Sequence, residues 1–87
     1  MDVSKLQRAA AAGDAAAQVQ LATCLYEGKQ GFRTNYIEAY KWAAVAAASG
    51  ETTAKYLVRE MELFIAPQDL SAGKAASKSI LSKPAKD

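Results

Sequence analysis

The chain has 87 residues, with 11 Lys+Arg, 9 Asp+Glu, no histidine, one cysteine and a formal net charge of +2. That is enough for one small domain, and it excludes a Ser–His nucleophile pair, an internal disulfide and the clustered donors of a transition-metal site. Residues 1–66 balance seven basic against seven acidic side chains, so the surplus lies in Lys74, Lys78, Lys83 and Lys86 against Asp69 and Asp87, too thin a basic tail to point to nucleic acid.

In chain order, alanine-rich stretches between glycine and proline breaks predict helices throughout, with no alternating run of β-branched residues to suggest a strand. The first runs from about Asp2 to Ala12, with Ser4 as a candidate N-cap and Gly13 as its stop. The second spans Asp14 to Glu27. Asp14 suits its positive end, and Ala17, Leu21, Cys24 and Leu25 fall on one face. "GKQGF" at 28–32 reads as a turn, because it lacks the spacing and the following Lys-Ser/Thr of a phosphate loop. The third helix runs from Tyr36 to Ser49, capped by Asn35 with Glu38 three residues on, as in a capping box. Its expected inner face is Ala39, Trp42, Ala43, Ala46 and Ala47. The fourth spans Glu51 to about Ile65 with Ala54, Leu57 or Val58, and Met61 inward. Pro67 opens a fifth, whose inner stripe is Leu70, Gly73, Ser77 and Ile80. "SKPAKD" is expected to be a disordered tail.

Two stretches repeat at one offset. A shift of 37 residues places Ala10, Ala11, Gly13 and Ala17 on Ala47, Ala48, Gly50 and Ala54, Asp14 on Glu51, and Leu21 on Val58. Coincidence of small, turn and acidic positions implies a helix–turn–helix unit used twice. It also explains the alanines. Interaxial distances of about 8–10 Å depend on the side chains at the contact, and alanine permits the short end.

These positions resemble the Sel1-like repeats, relatives of the tetratricopeptide repeats. The matching residues are Ala10, Gly13, Asp14, Ala17, Gln18, Leu21, Ala22, Leu25-Tyr26, Gly31-Phe32, Asn35, Ala39, Trp42, Ala46-Ala47 and Gly50. Two positions depart from the pattern: Gly28 comes early for the loop glycine, and Asn35 replaces the usual aspartate. Arg59-Glu60 and Pro67 to Leu70 look like the closing segment of small bacterial members, so the resemblance covers about residues 5–76. It implies an all-α fold, a short right-handed α–α superhelix of about five helices. Residues 1–81 would form the repeat domain, with 13–49 a complete unit, 50–66 the start of a second, 67–81 a capping helix and 82–87 the tail. It implies a non-catalytic adaptor that binds another protein or peptide, with no cofactor. A cysteine-rich branch with β-lactamase-type activity needs disulfide pairs that Cys24 alone does not provide.

In such a solenoid the first helix of each unit lines the concave surface. The outward positions there are Ala16, Gln20, Thr23 and Glu27, and in the same register Thr53, Leu57, Glu60 and Phe64 on the next unit. The Pro67–Ile80 helix is expected to cover Leu57 and Phe64; left bare, they would dock a partner or a second copy, which is the rival reading of a self-assembling unit stacked end to end. The remaining chemistry is bland. Cys24 reads as a small buried hydrophobe. Glu60 and Glu62, two apart, point away from each other on a helix. Tyr26 and Trp42 read as packing residues rather than base-stacking platforms. No apolar run approaches the roughly 20 residues of a bilayer span, and the start of the chain has no signal-peptide pattern. The expected compartment is the cytoplasm, with neither membrane nor nucleic acid as partner; a signal peptide removed in maturation would leave no trace here.

Overall fold

The computed structural model describes residues 3–82. Five helices follow in order: α1 (Val3–Ala11), α2 (Ala15–Glu27), α3 (Tyr36–Ala48), α4 (Thr52–Phe64) and α5 (Pro67–Leu81), and among the described residues there is no strand. Each helix falls where the breaks in the sequence place it, to within one or two residues. Ser4 is an exception: it lies inside α1 as its second residue rather than ahead of it. Of the tail expected at 82–87, Ser82 caps α5, its N–H donating to Lys78 and Ile80 carbonyls, and 83–87 lie outside the described residues.

The 37-residue offset survives in the hydrogen bonds. After α1 the Gly13 N–H donates to Ala10 O (3.1 Å) and the Asp14 N–H to Ala9 O (3.1 Å). After α3 the Gly50 N–H donates to Ala47 O (3.0 Å) and the Glu51 N–H to Ala46 O (3.3 Å). Both are Schellman turns, which close a helix on a left-handed residue. Gly13 (φ 102°) and Gly50 (φ 94°) supply that residue. The next helix is then capped by an acidic side chain, Asp14 accepting from the Ala17 N–H and Glu51 from the Thr53 N–H. At their far ends the Gly28 and Ile65 N–H groups reach Cys24 O and Met61 O, both at 2.8 Å. α2 and α4 therefore have the same length and the same frame.

The link between α2 and α3 is longer than that between α4 and α5, and it turns through left-handed Gly28, Gln30 and Gly31. Asn35 caps α3 as predicted, accepting from the Glu38 N–H (3.1 Å). The reciprocal half of the capping box is absent: the Asn35 N–H donates to Leu25 O (2.8 Å), and Glu38 pairs with Lys41 (2.6 Å).

Two apolar clusters hold the helices together. Leu6 and Ala10 of α1 meet Ala17, Leu21 and Cys24 of α2. Ala22, Ala39, Tyr40, Ala43, Met61 and Ile65 join α2, α3 and α4. Leu25 and Trp42, each half-buried, touch both clusters. Ala17 and Ala54 are both buried, as close helix contact at the repeated position requires. Gln18 is buried as well, and its amide donates to Ala10 O (2.9 Å), tying the C-terminal turn of α1 to α2.

α3 departs from a single inward stripe. Its buried residues are Ala39, Tyr40, Ala43, Val45 and Ala46, while Trp42 and Ala47 are half-buried. The reason is its neighbours: α2, α4 and α5 all pack on it, so a helix read as one-sided is covered round most of its circumference. α5 rests on α3 at Gly73, where an added Cβ would lie 3.0 Å from Tyr40 Cβ and 3.1 Å from Ile37 O. The predicted stripe of α5 holds, with Gly73 and Ser77 buried and Leu70 and Ile80 half-buried.

A candidate interaction face on α2 and α4

Because α2 and α4 share one frame, their outward rows can be compared position by position. On α2, Ala16 is exposed and Gln20 half-buried; both line a groove of about 270 Å³ against α1, walled by Lys5, Leu6 and Ala9 and closed by Asp14. Thr23 is half-buried, and its hydroxyl donates to Val19 O (2.9 Å) within the helix. Glu27 is exposed and paired with Lys29 (2.9 Å). On α4, Glu60 is exposed, Leu57 is half-buried against the larger cluster, and Phe64 is 74% exposed.

The expectation that the last helix covers Phe64 is therefore corrected. α5 packs along α3. The short link at Ile65 and Ala66 turns it there, with Ile65 entering the core. Leu57 packs against the larger cluster, as Leu70 of α5 does, and Phe64 stands in solvent.

Tyr26 precedes Glu27 at the end of α2. Its ring meets Tyr36 edge-on, with centroids 5.8 Å apart and planes at 63°. Burial holds its phenol above the usual tyrosine range, and the charge of Glu60, then Tyr36 and Glu27, pushes the same way. Tyr26 is half-buried and packs against the larger cluster, as its reading as a packing residue expects. The α1 wall of Lys5, Leu6 and Ala9 was missed, because groove formation there depends on how α1 leans on α2.

The other flagged residues take structural roles. Cys24 is buried among Leu6, Ala10, Ala17 and Leu21. Glu62 accepts from the Tyr40 hydroxyl (3.0 Å) while Glu60 acts on Tyr26, so the two carboxylates do point apart. Trp42 is half-buried with the Lys41 ammonium 4.5 Å from its ring centroid, a cation–π contact that occupies the ring face. Among the described residues no three His, Cys, Asp or Glu side chains gather as a metal site would need. No helix among them is long and apolar enough to cross a membrane. No family model, curated protein or solved structure matches this chain.

Proposed function

We propose that this chain is a non-catalytic, cytoplasmic interaction module of the Sel1-like type, a short right-handed superhelix that holds another protein or peptide along the outward rows of α2 and α4. One observation carries the reading. α2 and α4 begin after the same Schellman turn, run for 13 residues each and end on the same hydrogen bond, so each presents an outward row in the same frame. The α2 row is short and polar and sits beside a groove that admits side chains. The α4 row adds the apolar Leu57 and Phe64. A surface of that kind recognises a partner by shape and by a few polar contacts. Such a module works through its surface and needs no cofactor.

The test is capture from a cytoplasmic extract by the wild-type chain and by a Gln20→Ala/Glu27→Ala double variant. A partner retained by the first and lost by the second, with melting temperatures equal, supports the assignment. An identical set of captured proteins for both chains overturns it.

A further inference from the structure

Three large apolar side chains on α4 stand in solvent: Tyr56 (68% exposed), Leu63 (80%) and Phe64 (74%). Tyr56 and Leu63, at i and i+7, form one stripe on the side away from buried Ala54 and Met61, and Phe64 lies at its edge, on the flank of Glu60. Beside that stripe, away from Glu60, the flank reads Lys55, Arg59, Glu62: basic toward the N-terminus, acidic toward the C-terminus. Glu62 is exposed, with one oxygen accepting from Tyr40.

We infer that α4 pairs antiparallel with α4 of a second copy of this chain, about a two-fold axis near residues 59–60. Tyr56 then packs on the second copy's Leu63, and the reverse. An antiparallel two-fold pair sets like flanks against each other, so Glu62 falls between the second copy's Lys55 and Arg59. A parallel pair would instead set this flank against the opposite one, which carries Glu60 and Phe64 and offers Lys55 and Glu62 no such alternation. The flank is thus complementary to its own inverted copy, as an isologous contact requires. Head-to-tail stacking has no such match: the other end of the molecule is α1, whose exposed Lys5 and Arg8 are basic and offer Lys55 and Arg59 no acidic partner. One helix pair buries less than the roughly 1,200–2,000 Å² of a standard stable interface, so the dimer is a weak, reversible one with Kd on the order of micromolar. The pairing does not depend on the adaptor reading, but the stripe adjoins Phe64 and Glu60. Self-association therefore covers the α4 half of the partner row and competes with a bound partner.

Sedimentation equilibrium over a thousandfold concentration range tests it, with no partner present. The expected result is a mass rising from one chain toward two. Leu63→Glu should weaken the dimer at least tenfold while leaving the melting temperature of dilute protein unchanged, since Leu63 is already in solvent. Charge variants test the register. Glu62→Lys alone and Lys55→Glu/Arg59→Glu alone should each be monomeric, and an equimolar mixture should restore a heterodimer. A chain monomeric at every concentration overturns the inference. So does a dimer indifferent to Leu63→Glu, or a mixture no more associated than its components.

Discussion

A phenol, an amide and a glycine show how single positions hold this protein. Tyr40 is buried, and its hydroxyl donates to Glu62. Burial first, then the hydrogen bond and charge of Glu62, push its pKa from 10.0 up to about 12. The folded state thus keeps the phenolic proton more tightly than the unfolded chain. The associated stability is complete below pH 10 and is lost as pH rises through 10 toward about 12. Urea unfolding of the wild type should weaken across that window. Tyr40→Phe should lose about 1 kcal/mol at neutral pH and should show a smaller decline between pH 9.5 and 11.5. Gln18 carries a comparable duty: Gln18→Ala removes one of the two donors to the Ala10 carbonyl, leaving the Gly13 N–H, and should cost about 0.5–1.5 kcal/mol in the same assay. At Gly50 an added Cβ meets nothing within 4 Å, so the cost of Gly50→Val is backbone strain alone, on the order of 1–3 kcal/mol. An unchanged melting temperature would contradict that turn.

Among the helices, α3 is the hub, and α5 is the strut whose seat depends on close approach. Gly73 lets the α5 backbone come down on Tyr40 and the Ile37 carbonyl. Gly73→Leu should cost about 2–3 kcal/mol, because overpacking against backbone outweighs the roughly 1 kcal/mol gain in helix propensity over glycine. Chemical denaturation reads the difference, and Ala72→Leu, one residue away at an exposed position, should be near neutral. Element boundaries were legible in the sequence because their signals are local: glycines in left-handed turns, Asp14 and Asn35 at caps, Pro67 opening α5. The burial of Tyr40 and Val45 was not, since it follows from α3 having three neighbours, and no periodicity within α3 records that. The choice of α3 over α4 as the seat of α5 was equally hidden, which is why Phe64 was expected to be covered. On the candidate face, the outward register of Glu27, Glu60 and Phe64 could be counted off a helical wheel, whereas the groove that Ala16 and Gln20 share with α1 required the fold.

As a whole the molecule has a thin margin, for a chain this short buries a smaller share of its surface than a larger domain would. Its larger cluster draws on Leu70 from α5 as well as on α2, α3 and α4. A chain ending at Ala66 should therefore lose cooperative unfolding, seen as a broad, shallow thermal transition by circular dichroism; a sharp transition would mean that α1–α4 suffice.

The matched turns at Gly13 and Gly50 carry a consequence for growth. A joint that recurs with the same bonds is an interchangeable joint. A second copy of residues 13–49 spliced in after Ser49 would enter through one such joint and leave through the other, with no new kind of junction to invent. The lengthened rod should fold and melt higher than its parent, each added cassette covering the flank of the last. A lengthened chain that melts lower than its parent would show that the two joints are not interchangeable.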